Sequence, residues 1–454
     1  MSEDILHRET FATSRLLDFC NAKQLTVETG HPPEDWPIVV AKETIDNSID
    51  AAEEHGVAPE IDIQVSTERS GGPGEIVIAD NGPGIPPKVV EGILDYTVRV
   101  SSREPYCSPS RGQQGNFLKT LVAMPFALDG KQGITVIAAQ GVAHIVTFRV
   151  DHLRQEPVLD HDCVPFSTKG TWISLKWPNS ACSILADAES RFLQIADDFA
   201  WLNPHLRIRV KWNGVVRVDR EPSNPAWKKW RPSDPTSAHW YDAYRLERYI
   251  AAHVSRDQSL GRNRTVREFI SELRGFSGSA KQKRVLDETG LGRASLAAFF
   301  SDRGEPRRAA IERLLAALQK LSNPVKPQDL GLIGKDHLLA CFEGSGVNPQ
   351  TFKYKKLEGI DDDGFPCVLE TAFGHRPNGI EQRRIIAGAN WSVGIGNPFR
   401  SFGRGGEGLE SLLAEQRARS HEPIVFVAHF ACPRIEYTDR GKSAIVIRGG
   451  DDAV

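Results

Sequence analysis

Apolar residues recur at helical spacing between residues 39 and 56, and this stretch is the clearest element of the chain. The apolar positions fall three or four residues apart, on one face of an amphipathic helix: Val39, Val40, Ile45, Ile49 and Ala52. Glu43, Asn47 and Asp50 share a second, polar stripe. The pattern predicts a helix with one face in the core. The polar stripe can hold a hard divalent cation and orient a water molecule, or it can simply be solvated.

Helical and strand patterns alternate from residue 31 to about residue 215. Short apolar runs predict strands at 61–65, 75–79, 134–139, 144–150, 172–177 and 206–212. The simplest arrangement of this alternation is one mixed sheet covered by helices. Residues 1–30 are polar and helical in tendency, with a few apolar anchors.

The pattern changes after residue 220. Residues 221–226 are typical of a linker, and residues 227–232 place tryptophans beside Lys and Arg. Such aromatics can stack on bases, but they more often fix a linker onto neighbouring domains, which is the interpretation we favour. Residues 262–321 have a helical pattern with breaks at 275–278, 290–292 and 304–306. After residue 327, strands are predicted at 367–372, 384–389, 424–430 and 443–447, and a helix at 409–418.

Composition limits the classes of protein to which this chain can belong. The 454 residues are 40% hydrophobic and 25% charged, as in globular proteins of two to four domains. The net charge of -3 provides no overall attraction to nucleic acid. Residues 262–321, however, hold thirteen Lys or Arg against seven Asp or Glu, a local basic surplus that is either a DNA contact or a solvated face.

Cysteine usage and hydropathy indicate a cytoplasmic protein. The seven cysteines are scattered without a C-x-x-C pair, which favours reduced thiols and no metal knuckle. The charged N-terminal residues lack the apolar core of a signal peptide, and no apolar run is long enough to span a membrane. The acidic run at 361–363 precedes Gly364 and is typical of a solvated turn, so we expect no DNA-cleaving metal site there.

Two further segments carry candidate chemistry. Residues 74–87 are typical of a short strand that ends at Asp80 and is followed by Gly82 and Gly84. This places an acceptor on a rigid element beside backbone that a ligand can approach, although Asn-Gly and Pro-Gly also mark ordinary turns. Residues 110–119, SRGQQGNFLK, contain two glycines ahead of a helix and are a plausible phosphate loop.

In this order and spacing, the three segments resemble the Bergerat nucleotide fold of the GHKL ATPases. The matching motifs are E-x-x-x-N-x-x-D-A from Glu43, D-x-G-x-G-I from Asp80, the glycine-rich loop, and Gly170-Thr171 ahead of a strand. Within the superfamily, SRGQQG is much more similar to the B subunit of topoisomerase VI than to the other branches. The resemblance implies an α+β protein with a Bergerat-fold ATPase sandwich, a small helical domain and a C-terminal α/β transducer-like domain. A histidine kinase is disfavoured, because no phospho-acceptor helix pair precedes the fold.

The resemblance also implies roles for individual residues. Glu43 is expected to be the general base, and Asn47 the ligand of Mg²⁺. Asp80 is expected to accept from the adenine amino group with the support of Thr171. The other expected ATP-binding residues are Asp50, Gly82, Gly84, Ile85, Ser102, Arg111, Gly112, Gln113, Gln114, Gly115, Asn116 and Lys119. Lys442, in the stretch YTDRGKSAI, matches the lysine that the transducer sends to the γ-phosphate and is the second expected catalytic residue.

The expected domains follow from the same resemblance. They are an N-terminal arm (1–30), the ATPase domain (31–220), a linker and connecting helix (221–260), a domain similar to the helix-two-turns-helix insert (261–325), and the transducer-like domain (326–454). The expected function is an ATP-hydrolysing, type IIB topoisomerase-like subunit, an isomerase component. It dimerises on ATP and Mg²⁺, and gates DNA handling by a separate A-type cleaving subunit. In the family, a long docking helix follows the transducer, whereas only twelve residues follow Lys442. The alternative is an ATP-gated dimerising scaffold of a mobile-element or defence system.

Overall fold

A computed structural model describes most of the chain. The described residues are 20–67, 74–93, 106–111, 117–151, 153–154, 156–377, 382–400, 408–438 and 444–446. The helices in these segments are α1 (Ala22–Thr29), α2 (Trp36–His55), α3 (Pro87–Ile93), α4 (Phe117–Asp129), α5 (Cys182–Asp187), α6 (Glu189–Leu202), α7 (Ala243–Ser259), α8 (Val266–Ser271), α9 (Ser279–Thr289), α10 (Arg308–Leu321), α11 (Lys335–Gly344) and α12 (Leu409–Glu415).

The strands of the described segments divide between two sheets. They are β1 (Glu60–Ser66), β2 (Gly74–Asp80), β3 (Gly133–Ala139), β4 (Val142–Asp151), β5 (Glu156–Pro165), β6 (Thr171–Trp177), β7 (Arg207–Trp212), β8 (Val215–Arg220), β9 (Lys353–Ile360), β10 (Pro366–His375), β11 (Arg384–Ala389), β12 (Ser392–Val393) and β13 (Ile424–Ala431). The fold is therefore α+β, as the sequence predicts.

The first sheet is a mixed sheet of strand order β5-β4-β3-β6-β2-β1-β7-β8 within the described residues. β1 and β7 are parallel, and the other neighbouring strands are antiparallel. In β1, Ile61, Ile63 and Val65 are buried while the residues between them are exposed. This alternation is typical of a sheet with one face on the core and one face in solvent.

Helices α2, α4 and α6 pack against this sheet. α2 follows a short 3-10 helix (Pro33–Asp35) and ends at His55. The next residue, Gly56, caps the helix: its left-handed backbone (φ +78°) lets its N–H donate to the last turn. The predicted apolar face of α2 is buried throughout. The core beneath the helices includes large side chains that are almost fully buried: Trp36, Phe148, Trp177, Phe192 and Trp201.

The second sheet lies in the C-terminal part, with strand order β12-β11-β13-β10-β9 among the described residues. β11 and β13 are parallel, while the other pairs are antiparallel. Four helices lie between the two sheets in the sequence: α7 falls in the predicted connecting segment (221–260), and α8 to α10 fall in the segment with the predicted helical pattern (262–321). α8 begins with a capping box between Thr265 and Glu268. None of the described helices is long and apolar enough to cross a membrane.

The predicted strands that lie within the described residues are present, but four observed strands were not predicted. Three of them, β5, β8 and β9, have few or no buried residues. The fourth, β12, is buried but only two residues long. Strand 443–447 lies partly outside the described residues, although Ile445 forms a bridge with Tyr437. The acidic run forms the turn between β9 and β10, where Asp361 Oδ1 accepts from the backbone N–H groups of Asp363 and Phe365.

Candidate nucleotide site

Asp80 is the last residue of β2, and three donors hold its carboxylate. Oδ1 accepts from the backbone N–H groups of Thr171 and Gly82, both at 2.9 Å, and Oδ2 accepts from the Ser48 hydroxyl at 3.0 Å. Burial raises the pKa of Asp80 above its ordinary value, although these hydrogen bonds oppose the shift. The arrangement fixes an acceptor at the strand end, where α2, β2 and β6 meet.

The backbone around Asp80 is too crowded for side chains at two glycines. Gly170 has φ +63°, and a Cβ placed there would lie 2.1 Å from the backbone oxygen of Asp80. Gly84 has φ +79°, and its Cβ would lie 3.0 Å from the backbone oxygen of Gly170. Gln140 Nε2 donates to the Gly84 carbonyl at 3.2 Å. Close approach of the two loops therefore depends on glycine at both positions.

The predicted polar stripe of α2 divides in the structure. Asn47 is exposed and Glu43 is half-buried, whereas Asp50 is buried. Lys42 Nζ lies 2.9 Å from Glu43 Oε1 and 3.0 Å from Asp46 Oδ2. Burial lowers the pKa of Lys42, but the Asp46 and Glu43 carboxylates raise it, and the net pKa lies above the ordinary value. Glu43 and Asn47, one turn apart, thus present oxygen atoms of the kind that Mg²⁺ prefers.

Arg111 is the centre of a buried ionic network beneath this stripe. Its guanidinium is 2.7 Å from Asp50 Oδ1 and 3.0 Å from Glu53 Oε1, and its side chain is 0% exposed. Glu53 also lies 2.8 Å from Lys229 Nζ and 3.0 Å from His205 Nε2. Burial raises the pKa of Glu53, but Arg111 and Lys229 lower it, so that the net pKa is well below its ordinary value.

The turn between β11 and β12 connects this network to the second sheet. The carbonyl oxygen of Trp391 accepts from Asn203 Nδ2 at 3.0 Å and from Arg111 Nε at 3.4 Å. In addition, the Ser392 hydroxyl donates to Asp46 Oδ2 at 2.6 Å. All three contacts are buried, and the bond from Ser392 to Asp46 puts the inner side of α2 in direct polar contact with the C-terminal sheet.

The structure brings together only some of the residues that the sequence predicts for the site. Asp80, Gly82, Gly84 and Thr171 form one cluster. Lys119 is buried on α4, and Asp50 and Arg111 contact each other inside the protein. Ile85 follows Gly84 and packs half-buried against the core. Seven further predicted residues lie outside the described segments: Ser102, Gly112, Gln113, Gln114, Gly115, Asn116 and Lys442. The ATP-binding and catalytic roles of all these residues stay predictions.

Several residues of this region were not predicted from the sequence. Ser48 contacts Asp80, while Lys42, Asp46 and Glu53 form ion pairs along α2. Asp46 and Glu53 fall on a helical stripe with Asp50, and a stripe that is buried needs cations. The ion pairs of Asp46 and Glu53 could therefore have been predicted from this spacing. The contact of Ser48 with Asp80 could not, because it depends on how α2 lies on β2.

Residues 37–153 match the family described as "Histidine kinase-, DNA gyrase B-, and HSP90-like ATPase". The match contains nearly all of α2, then β1, β2 with Asp80 and the glycines that follow it, α3, α4, β3 and β4. This part of the chain is an ATPase domain of that family. ATP binding by the domain accords with the fixed acceptor at Asp80 and with the adjoining glycines.

Curated relatives match a longer stretch of the chain. The B subunit of type 2 DNA topoisomerase 6 from Methanosarcina barkeri is 32% identical over 182 residues, which are 38% of this chain and 28% of that protein. The protein of the same name from Archaeoglobus fulgidus is 30% identical over 185 residues, 39% of this chain and 30% of that protein. The matched region thus spans less than a third of the length of these relatives.

Two solved structures align with most of the chain at low similarity. One is "Aquifex aeolicus MutL ATPase domain complexed with ADP", with a TM-score of 0.34, 10% identity, and coverage of 87% of this chain and 91% of that chain. The other is the ATPase region of Saccharomyces cerevisiae topoisomerase II, with a TM-score of 0.38, 9% identity, and coverage of 90% and 76%. At these TM-scores, neither likeness supports a conclusion about function.

Replacing Gly170 by alanine is expected to weaken ATP binding by at least about tenfold, because the new Cβ must displace Asp80. Isothermal titration with ATP measures the change. Gly141→Ala is the matched control: Gly141 also has a positive φ (+86°), but its Cβ would meet nothing within 4 Å. Its cost is the backbone strain alone, about 1–3 kcal/mol of stability. Equal ATP affinity in the two variants would contradict the importance of this close approach.

Proposed function

We propose that the chain is the ATP-hydrolysing subunit of a type IIB topoisomerase-like machine, in which ATP closes two copies of the chain around DNA. The observation that carries the proposal is the Asp80 carboxylate, held by Thr171, Gly82 and Ser48 inside an ATPase domain. The names of the relatives at about 30% identity support the topoisomerase class. An A-type cleaving subunit as partner is part of this proposal.

Four side chains would bind the nucleotide and its Mg²⁺ ion or take part in hydrolysis. Asp80 would accept a hydrogen bond from the adenine amino group, and Asn47 would supply an oxygen ligand to Mg²⁺. Glu43 would take a proton from the attacking water. The Mg²⁺ ion, when bound, neutralises charge on the phosphates. Lys442, which lies outside the described residues, would contact the γ-phosphate from the transducer-like part.

The buried contacts of the β11–β12 turn give this proposal a physical route from nucleotide to the second sheet. Asp46 lies one turn after Glu43 and directly before Asn47 on α2, and it contacts Ser392 directly. A displacement of α2 would therefore change its contact with the C-terminal sheet. A ligand shifts an equilibrium between two positions of α2 only if it binds them with different affinities. ATP and ADP must therefore make different contacts with the protein.

Contact with DNA is proposed for the helical region. On α9, Gln282, Val285 and Leu286 are buried, while Lys281, Lys283 and Arg284 are exposed. Exposed cations on one helix attract the phosphate backbone irrespective of sequence. Of the other cations in this region, Arg264 is paired with Asp257, and Lys320 of α10 is paired with Glu288 at the C-terminal end of α9. The exposed Lys281, Lys283 and Arg284 in the first half of α9 are thus the better candidates for contact with DNA.

The mass of the protein in solution tests the proposal. With Mg²⁺ and a non-hydrolysable ATP analogue we expect a dimer, and with ADP a monomer, measured by light scattering after chromatography. Asp80→Asn is expected to remove nucleotide binding and therefore the dimer, because the amide presents a donor where adenine needs an acceptor. Bound analogue with unchanged mass would overturn the gated clamp, and it would equally overturn the alternative of an ATP-gated dimerising scaffold. Unaltered affinity in Asp80→Asn would overturn the adenine assignment.

A further inference from the structure

Three potential metal ligands converge on the hairpin of β4 and β5, away from the Asp80 cluster. His144 on β4 is directly opposite Cys163 on β5. His161 lies two residues before Cys163 on the same strand, so it points to the same face of the sheet. The cluster therefore follows from the register of the hairpin, and these residues have no role in the proposed ATPase chemistry.

The ligand atoms of the cluster are close enough to share one ion. His144 Nδ1 lies 2.8 Å from His161 Nε2. Cys163 Sγ lies 3.5 Å from each of these two nitrogens. The two imidazole rings are stacked, with centroids 5.0 Å apart and planes 17° from parallel. All three atoms lie within 4.8 Å of one another.

These distances fit tetrahedral zinc with a small adjustment. With Zn–N near 2.0–2.1 Å and Zn–S near 2.3 Å, tetrahedral angles separate sulfur from nitrogen by about 3.5 Å and two nitrogens by about 3.3 Å. The two sulfur–nitrogen distances already have this value. The two nitrogens are closer by about half an ångström, because they form a hydrogen bond with each other in place of metal bonds.

The environment of the cluster is closed on one side and open on the other. His144 is 2% exposed, whereas Cys163 is exposed. His144 Nε2 is buried and has no hydrogen-bond partner among the described residues, so the polar contacts that orient this ring are those of the cluster. An ion can enter from the Cys163 side, and solvent can supply the fourth ligand.

We propose that His144, His161 and Cys163 bind one Zn²⁺ ion. Two imidazole nitrogens and a thiolate are a ligand set that suits borderline ions such as Zn²⁺ and not Mg²⁺, which prefers oxygen. The ion joins β5 to β4 through side chains, in addition to the backbone ladder. β5 is the edge strand of the first sheet and is exposed along much of its length. Zinc there stabilises an edge that has little buried apolar surface of its own.

Metal titration of the full chain without nucleotide or Mg²⁺ tests the site. Co²⁺ is the probe, because tetrahedral Co²⁺ gives visible bands and a thiolate gives a sulfur-to-metal charge-transfer band. We expect one equivalent of Co²⁺ to bind, and one equivalent of Zn²⁺ to displace it. Cys163→Ser is expected to lose the charge-transfer band and at least about tenfold in affinity. His161→Asn is a second variant with the same expected loss of affinity, should the first fail to fold.

Two control variants separate this site from others. Cys367→Ser removes a thiol of the second cluster of potential ligands, formed with Asp361 and Cys432. His421→Asn removes an exposed imidazole that lies outside both clusters. Both controls are expected to bind Co²⁺ like the unaltered chain, and Zn²⁺ is expected to raise Tm in them but not in Cys163→Ser. No charge-transfer band in the unaltered chain, or its loss in Cys367→Ser alone, would overturn the proposal.

Discussion

Replacing Glu43 by glutamine is expected to leave ATP bound and to slow its hydrolysis by about 10²–10⁴-fold, the usual loss when a general base is removed. Glutamine keeps the size and polarity of the side chain but does not take a proton from water. The half-buried position of Glu43, one turn from the exposed Asn47, lets both side chains reach a nucleotide on the same side of α2. Steady-state phosphate release and ATP titration give the two quantities separately.

The matched control is Glu54→Gln, which makes the same substitution at an exposed position of α2. It is expected to retain both binding and hydrolysis. Because Lys42 contacts Glu43 and Asp46 together, Glu43→Gln also removes one charge from around a buried ammonium. A thermal melt of the variant shows whether that loss affects stability. Hydrolysis within a few-fold of the unaltered chain would exclude Glu43 as the base.

Replacing Arg111 by methionine is expected to lower the free energy of unfolding by about 3–5 kcal/mol, the usual cost of removing one partner of a buried ion pair. Methionine fills much of the space but leaves Asp50 and Glu53 buried without the guanidinium. Urea unfolding monitored by tryptophan fluorescence measures the change. Arg149→Met is the control, because Arg149 pairs with Asp160 at the surface, where both side chains are about half exposed. Its expected cost is about 0–1 kcal/mol.

The loss of unfolding free energy in Arg111→Met is expected to become smaller as the pH falls. Since the pKa of Glu53 is well below its ordinary value in the folded chain, Glu53 contributes stability that is present above its unfolded pKa and is lost as pH falls through the folded pKa. Without Arg111 much of this contribution disappears. The difference between the two proteins is therefore full at neutral pH and shrinks below about pH 4.5, close to the ordinary pKa of glutamate. A difference that grew on acidification would contradict the network.

The sequence predicted the elements whose hydrophobic pattern is set by burial. The apolar face of α2 and strand β2, which ends at Asp80, belong to this class, because one face of each contacts the core. β5 and β9 were missed for the opposite reason. Both are edge strands with little burial on either face, and they are strands because β4 and β10 offer them a ladder. Backbone pairing with a neighbouring strand does not require an alternation of apolar and polar residues, so the sequence shows none.

The candidate site was predictable where its residues are close together in the chain. Asp80, Gly82 and Gly84 form one motif, and the structure brings Thr171 to it. The partners of Arg111 were not predictable in this way. Asp50 lies 61 residues before it, and Trp391 lies 280 residues after it. A charged residue near a glycine-rich loop looks like a ligand for phosphate, and only the packed structure shows that it contacts buried carboxylates.

The polar contacts at the β11–β12 turn also bear on how such a chain can change over evolution. The matched ATPase region ends at residue 153, yet two acidic residues of α2 have partners beyond it. Glu53 forms an ion pair with Lys229, and Asp46 accepts a hydrogen bond from Ser392. A recombination event that grafted this region onto an unrelated C-terminal half would leave Asp46 and Glu53 without these partners inside the protein. We therefore expect the two halves to be inherited together, and a change on either side of the contact to favour a compensating change on the other.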